Sequence, residues 1–266
     1  MYLGKRQKIY HKQIMNNNFK IDKLEVFVLK DRKTLGEYAA KRTAEKIKQV
    51  ASEKAAVNII FAAAPSQNEF LECLLADTTI PWGRINAFHM DEYLGLPEDA
   101  PQSFGSFLNK RLFSHAPFKS VSLINGHTSD IESECMRYTS LLQNFPPDIV
   151  CMGIGENTHL AFNDPPVANF KDTEAVKKVV LDEACRQQQV NDGCFKSLDD
   201  VPRFALTLTV PALVQAPHIF CMVPGKLKAE AITHTLSEPI SERYPSTILR
   251  RHENAILFVD QESYTI

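Results

Sequence analysis

The 266-residue sequence predicts a single-domain α/β fold, in which helices cover both faces of a parallel, Rossmann-like sheet and give three layers. Three observations support this prediction. Apolar runs of strand length alternate with amphipathic segments of helix length along most of the chain. Several apolar runs lack the polar alternation of a half-exposed strand, which is typical of strands buried on both faces. No internal repeat, low-complexity tract or linker divides the sequence.

The N-terminal half of the sequence alternates strand and helix without interruption. Two of its helices are predicted to begin with the Ser/Thr-x-x-Glu spacing of a capping box, at Thr34 and at Ser66. The predicted strands are 24–29, 57–64 and 85–90, and the predicted helices are 33–54, 66–76 and 103–113.

The C-terminal half keeps the alternation but contains one long gap. The stretch 156–203 is rich in Asn, Asp and Gln, and it predicts irregular structure. The predicted strands are 120–124, 148–155, 204–210, 218–223 and 255–260, and the predicted helices are 130–144 and 226–236. Repeated strand–helix units imply right-handed crossovers and therefore a parallel sheet.

Composition restricts the classes of function. The formal net charge of −2 gives no electrostatic case for a nucleic-acid partner or an anionic membrane surface. The basic N-terminal stretch 1–19 contains no apolar segment with the length of a signal peptide or a membrane span. Six cysteines without a CxxC pair predict reduced thiols in a cytoplasmic protein. Residues 1–22 are basic and lack the periodicity of a packing helix, so they are predicted to be a flexible extension of a domain over 23–266.

Polar segments follow three of the predicted strands and indicate where a ligand binds. They are PSQNEF (65–70), HMDEYLG (89–95) and MGIGENTHLAFNDPP (152–166). In open parallel sheets, ligands bind outside the carboxyl ends of the strands. These segments are therefore expected to converge on one edge of the sheet and to form a pocket.

Asp91 and Glu92 stand at the end of an apolar run. A carboxylate in that position can be partly desolvated and act as a base. The alternative is that Asp91 caps the next turn and Glu92 is solvated. His89 and Asp91 would supply two metal ligands without a third, so no metal site is predicted.

The segment 153–164 contains the most candidate functional groups. Gly153 and Gly155 permit a tight turn after a strand, but they do not form the GxGxxG of a dinucleotide site. His159 can titrate near neutrality, and Asp164 can orient its imidazole if the loop folds back. A purely structural histidine is the alternative.

Two further positions favour an anion. Ser66 opens a predicted helix after a strand, where free N–H groups and the helix dipole attract a phosphate. Lys228 lies near the start of a late helix, where a counter-anion would be favourable. An ordinary cap and a solvated lysine are the alternatives.

Five segments together resemble glucosamine-6-phosphate deaminases, a branch of the wider group of sugar-phosphate isomerases and 6-phosphogluconolactonases. They are FHMDEYLGLP (88–97), SFGSFLNKRLF (103–113), INGHTSDIESECMRY (124–138), MGIGENTHLAFNDPP (152–166) and VPRFALTLTVPALVQAP (201–217). The patterns MDEY-x-GLP and H-x-AFN-[DE]-P are specific to the deaminase branch. The DER sequence expected of a lactonase is absent.

The resemblance implies a reaction and a set of roles. Glucosamine 6-phosphate and water would become fructose 6-phosphate and ammonia, without a cofactor or a metal. Asp91 matches the base that moves a proton between C2 and C1, and Glu92 is placed among the substrate-binding residues. His159 matches the residue that assists ring opening, Asp164 falls where the family has a supporting Glu, and Lys228 matches a phosphate-binding lysine.

Three departures from the family pattern define a divergent branch. Pro65, Ser66 and Gln67 replace a glycine-rich phosphate loop, so Ser66 and Gln67 are predicted to bind the phosphate. Asn157 replaces an acid two residues before His159. Arg186 is the nearest candidate for a phosphate-binding arginine.

The sequence leaves several alternatives open. The amino sugar can be the gluco or the galacto epimer, and the chain can be a lactonase-type hydrolase or a non-catalytic sugar-phosphate sensor. Asn157 and the altered phosphate loop are the support for a sensor. The resemblance covers oligomers and monomers, so a homo-oligomer also stays open.

Overall fold

The protein is described here by a computed structural model over residues 18–265, and its centre is an eight-stranded sheet. The strands are β1 (Asn18–Ile21), β2 (Leu24–Leu29), β3 (Val57–Phe61), β4 (Ile85–His89), β5 (Asp91–Tyr93), β6 (Ser120–Ser122), β7 (Ile149–Met152), β8 (Val176–Val180), β9 (Phe204–Leu208), β10 (His218–Val223) and β11 (Ala255–Asp260). The α-helices are α1 (Arg32–Glu53), α2 (Asn68–Ala76), α3 (Phe104–Arg111), α4 (Ile131–Asn144), α5 (Glu183–Asn191), α6 (Val210–Val214) and α7 (Ala229–Ser237).

The large sheet is parallel except at one edge. Its strand order is β1-β2-β11-β10-β7-β3-β4-β6, and only β1 runs antiparallel to its neighbour. A second sheet of three antiparallel strands, in the order β5-β9-β8, lies outside the first. The predicted α/β class and parallel sheet are confirmed.

Two hydrophobic cores pack against the two faces of the large sheet. Successive residues of β3 alternate between them, since Ile59 and Phe61 belong to one core and Ile60 to the other. Helices α1, α2 and α3 contribute to the first core, and α4, α6 and α7 contribute to the second. This is the three-layer arrangement that continuous apolar strands predict.

The helix starts differ from the predicted capping boxes. Helix α1 is capped by Asp31, whose carboxylate accepts a hydrogen bond from the Thr34 backbone at 2.8 Å. Ser66 lies in a 3₁₀ turn ahead of α2, which begins without a side-chain cap. Glu69 instead pairs with Arg32. The capping-box spacing at both positions was therefore misleading.

The sequence predicted irregular structure for the whole stretch 156–203, but the structure differs. This stretch contains strand β8 and helix α5. Strand β8 has the sequence VKKVV, with two central lysines, and α5 has the largely polar sequence EACRQQQVN. Both elements carry weak hydrophobic patterns because α5 buries Gln188 and Gln189 and β8 exposes Val180, so periodicity did not reveal them.

The N-terminal boundary also differs from the prediction. Residues 18–21 form β1 and pair with β2, so the prediction of a flexible extension over 1–22 is wrong for these four residues. Phe19 contacts the ring of Tyr264, with centroids 5.7 Å apart. Residues 1–17 of the predicted extension lie outside the described residues. Within 18–265, no helix combines the length and apolar character needed to cross a membrane.

Candidate active site

A cleft of about 260 Å³ opens at the carboxyl edge of the parallel sheet. Residues that follow the four adjacent strands β10, β7, β3 and β4 line it. The predicted convergence of 65–70, 89–95 and 152–166 is therefore observed, and the turn 224–228 completes the wall.

Asp91 reaches the cleft because the chain changes sheets after β4. The backbone passes through Met90 into β5, where Asp91 pairs with Thr207 of β9. The Asp91 side chain lines the cleft, and the residue is 7% exposed. Burial, with the adjacent Glu92 carboxylate, raises the pKa of Asp91 well above its ordinary value. No hydrogen bond to this carboxylate is found among the described residues, so its basic oxygens are available to a ligand.

Glu92 has a different place from the one predicted. Its carboxylate accepts hydrogen bonds from the backbone N–H groups of Tyr93, Phe104 and Gly105, at 2.8–3.0 Å. It therefore caps the start of α3 and does not line the cleft. Successive residues of a strand point to opposite sides, which separates Glu92 from Asp91. Burial raises the pKa of Glu92, and the three hydrogen bonds oppose that rise.

His89, the other residue of the HMDE segment, is a core residue. Its Nε2 accepts a hydrogen bond from the Ile124 backbone at 2.8 Å, and complete burial lowers its pKa to about 3. The imidazole is therefore neutral and faces the core.

The loop after β7 holds His159 against the cleft. Two residues beside it have left-handed backbone conformations, Thr158 with φ of 71° and Ala161 with φ of 51°. A Cβ atom on Gly155 would lie 2.1–2.4 Å from three atoms of the His159 ring. Only glycine therefore fits at 155 while the imidazole keeps its place.

The Nδ1 atom of His159 is oriented by two acceptors. It lies 2.7 Å from the Asn157 Oδ1 atom and 3.0 Å from the Asp164 Oδ1 atom. The Asn157 amide also donates to Asp164 at 3.0 Å. Both acceptors require a proton on Nδ1, so Nε2 of the neutral ring carries the free lone pair. Burial would raise the pKa of Asp164, but hydrogen bonds and charge from His159 and a bond from Asn157 hold it below its ordinary value.

The cleft also presents a group suited to an anion. Lys228 is 7% exposed, and no hydrogen bond or ion pair to its ammonium is found among the described residues. Burial lowers its pKa. Ser66 lines the same cleft, whereas Gln67 stands behind it. The Gln67 amide donates to the Ser66 hydroxyl and to the Met222 carbonyl, each at 3.2 Å, and so fixes the serine against β10.

Arg186 does not reach the cleft, contrary to prediction. Its guanidinium donates to the carbonyls of Leu198 and Val201 and fastens α5 to the following turn. The arginine that does line the cleft is Arg32, at the start of α1. It donates to both carboxylate oxygens of Glu69 and to the Pro65 carbonyl, at 2.7–2.9 Å. No local motif marks Arg32, because tertiary packing alone brings it to the Pro65 turn.

These groups define the class of site. A buried carboxylate, an oriented imidazole and a buried ammonium meet at the strand edge of a three-layer α/β sheet. The arrangement suits proton transfer on a small anionic ligand.

Comparisons with known proteins agree with this description. Residues 30–258 match the family described as glucosamine-6-phosphate isomerases/6-phosphogluconolactonase. Glucosamine-6-phosphate deaminases from Bacillus cereus (strain B4264) and Bacillus thuringiensis (strain Al Hakam) are each 37% identical over 183 residues, which cover 69% of this chain and 68% of those proteins. The chain belongs to this family, which confirms the resemblance.

Solved structures extend the comparison to the whole fold. A monomeric glucosamine-6-phosphate deaminase superposes with a TM-score of 0.82 and 31% identity, covering 90% of this chain and 98% of that one. A 6-phosphogluconolactonase from Thermotoga maritima superposes with a TM-score of 0.73 and 22% identity, covering 89% and 99%. The second comparison shows a shared fold alone.

Proposed function

We propose that this chain deaminates and isomerises an amino-sugar phosphate, converting glucosamine 6-phosphate and water to fructose 6-phosphate and ammonia. The observation that carries this proposal is the buried Asp91 carboxylate, which faces the cleft without a hydrogen-bond partner among the described residues. The 37% sequence identity to glucosamine-6-phosphate deaminases over 69% of the chain supports the same reaction.

Asp91 is the proposed proton-transfer base. In the opened sugar it removes the proton from C2, which gives an enolamine, and returns a proton to C1. The product is a 2-imine; water adds to its C2 atom and ammonia leaves. The raised pKa of Asp91 suits both steps, because the group accepts a proton readily and can give it back.

His159 is proposed to assist ring opening through Nε2. Its Nδ1–H is held by Asn157 and Asp164, so the ring keeps one tautomer and one orientation. An imidazole in that state accepts a proton from the anomeric hydroxyl and then gives a proton to the ring oxygen. Asn157 therefore replaces an acid as an orienting group without adding a second charge beside Asp164.

The phosphate is proposed to bind between Ser66, Lys228 and Arg32. Lys228 has lost much of its hydration on burial, so an anion beside it gains more than it would at the surface. Glu69 and the Pro65 carbonyl hold Nε and one terminal nitrogen of Arg32, so the other terminal nitrogen keeps N–H groups that can donate to the ligand. Gln67 acts by positioning Ser66.

An ammonia-release assay on glucosamine 6-phosphate and galactosamine 6-phosphate tests the function and separates the epimers. We expect ammonia and a ketose phosphate in equal amounts. Hydrolysis of 6-phosphogluconolactone without ammonia release would replace the proposal with the lactonase alternative. Saturable binding of hexosamine phosphates without turnover would favour a sensor.

Cofactor-free catalysis and a cytoplasmic location belong to the same proposal, as does the absence of a nucleic-acid partner. A homo-oligomer stays open, since the similar deaminase structure is that of a monomer. Light scattering at assay concentration measures the state directly.

A further inference from the structure

A cysteine stands behind the histidine of the cleft. Cys185 is in α5, which follows β8, while His159 and Asp164 belong to the loop after β7. One ligand atom from each residue, the imidazole nitrogen, a carboxylate oxygen and the sulfur, lies within 4.8 Å of the others. All three residues are buried. No sequence motif indicates this group, because its members are far apart in the chain and share no metal-ligand spacing.

The three groups form a ligand set typical of zinc. Zn²⁺ binds imidazole nitrogen and carboxylate oxygen at about 2.0–2.2 Å and thiolate sulfur at about 2.3 Å. With tetrahedral angles, these bond lengths place neighbouring ligand atoms about 3.3–3.6 Å apart. Nδ1 of His159 and Oδ1 of Asp164 are 3.0 Å apart, close to this spacing. The Cys185 sulfur lies within 4.8 Å of the other two ligand atoms, so it would move toward them to complete the set around an ion.

Two further observations point to a cation. The second carboxylate oxygen of Asp164 is buried and has no partner that meets hydrogen-bond geometry, although the Asp182 backbone and the Cys185 thiol also interact with this carboxylate. A buried acceptor in that state is costly, and a cation would satisfy it. The Asn157 Oδ1 atom, 2.7 Å from Nδ1, provides a fourth potential ligand atom beside the ring. An Asp carboxylate and a Cys thiolate together balance the charge of a divalent ion.

We propose that Zn²⁺ binds reversibly to His159, Asp164 and Cys185 and switches the enzyme off. The thiol of Cys185 loses its proton when the sulfur binds. The Nδ1 proton of His159 is replaced by the metal, and the neutral ring then carries its proton on Nε2. Since Nε2 has lost its lone pair, it cannot accept a proton from the sugar. The loss of turnover rests on the proposed function, but binding of the metal does not.

The test is a titration of the purified full-length chain with Co²⁺, which adopts zinc sites and reports its ligands by absorption. Binding should produce a thiolate-to-cobalt charge-transfer band in the near ultraviolet, with one ion per chain, and one equivalent of Zn²⁺ should remove it. In the absence of Co²⁺, Zn²⁺ should abolish ammonia release, and EDTA should restore it.

Cys185→Ser is the decisive variant, because serine keeps a polar group of similar size but is a poor zinc ligand. It should lose the band and bind Zn²⁺ at least ~100-fold more weakly, since even outer-shell changes at metal sites cost 10–100-fold. Cys221→Ser, at a fully buried cysteine of β10, is the matched control and should keep the band. A band that survives Cys185→Ser, or cobalt binding without any thiolate band, would overturn the site. Zinc bound at the site without inhibition would overturn the switch and leave the deaminase proposal intact.

Discussion

Gly155→Ala should displace the imidazole of His159 while leaving the rest of the cleft in place. The added methyl carbon would lie 2.1 Å from Cε1, 2.2 Å from Nε2 and 2.4 Å from Cδ2 of that ring. Carbon atoms in contact sit about 3.5–4.0 Å apart, so the ring must retreat by more than 1 Å. Its Nδ1 contacts with Asn157 and Asp164, now 2.7 and 3.0 Å, would then be shifted from their present lengths and angles.

The magnitude follows from these distances. Overpacking of this kind costs about 1–3 kcal/mol of unfolding free energy, which corresponds to a fall in Tm of roughly 2–12 °C for a chain of this size. A displacement of about 1 Å at a catalytic group costs on the order of 100-fold in turnover. The phosphate contacts are not touched, so KM should change far less than kcat.

The assay is steady-state ammonia release with thermal melting of the same samples. Gly83→Ala is the control, because a Cβ atom there meets only the Pro117 carbonyl, at 3.8 Å. That variant should match the wild type in kcat and Tm. If Gly155→Ala kept kcat within about twofold of the wild type, the observed position of the His159 ring would not be the one that catalysis requires.

The remaining predictions concern the phosphate end and the neighbour of the base. Lys228→Met should raise KM about 10- to 100-fold, which corresponds to the loss of one charged hydrogen bond. It should also raise Tm, because it removes a buried charge that has no partner among the described residues. An unchanged KM would show that the phosphate binds at another place. Arg32→Gln should raise KM, whereas Arg186→Gln should leave KM unchanged and lower Tm. The reverse pattern would show that Arg186, as the sequence predicted, binds the phosphate. Glu92→Gln should lower the unfolding free energy by about 1–3 kcal/mol through the cap of α3, without raising KM. Asp91 must be ionised to act, so turnover is lost as pH falls through its raised pKa. Because the Glu92 charge contributes to that rise, Glu92→Gln should shift the acid limb of kcat/KM to lower pH. An unshifted acid limb would show that the Glu92 charge does not affect the pKa of Asp91.

Much of the fold follows from local pattern. The strands β2, β3, β4, β7, β10 and β11 lie within predicted apolar runs because burial on both faces demands continuous apolar residues. Strand β8 and helix α5 escaped prediction because their buried and exposed sides do not differ clearly in polarity: α5 buries Gln188 and Gln189, and β8 exposes Val180. Strand β5 escaped it for another reason: the chain changes sheets where the apolar run ends, and the three-residue segment Asp91–Tyr93 is too short and too polar to mark a strand.

The candidate site also contains residues that local sequence predicts and a residue that it does not. Asp91, His159, Asn157 and Asp164 lie in short segments that follow strand ends. Asp91 and His159 line the cleft, and Asn157 and Asp164 contact the His159 ring. Arg32 could not be predicted, because only the packing of α1 against the Pro65 turn brings it there.

Two predictions failed because sequence proximity does not fix the direction of a side chain. Glu92 is next to Asp91 in the chain, yet it points to the other side of β5 and caps α3. Arg186 follows Cys185 on a helix, and one residue of rotation turns its guanidinium away from the cleft to the carbonyl of Val201.

The most direct test of the central claim is solvent deuterium exchange at C2 in Asp91→Asn. Asparagine keeps the shape of the side chain but removes the basic oxygen, so turnover should fall on the order of 100-fold or more, within the range for loss of a general base. Exchange at C2 should fall in step with ammonia release, while binding of the sugar phosphate persists through Ser66, Lys228 and Arg32. Exchange and ammonia release at wild-type rates in Asp91→Asn would show that another group is the base.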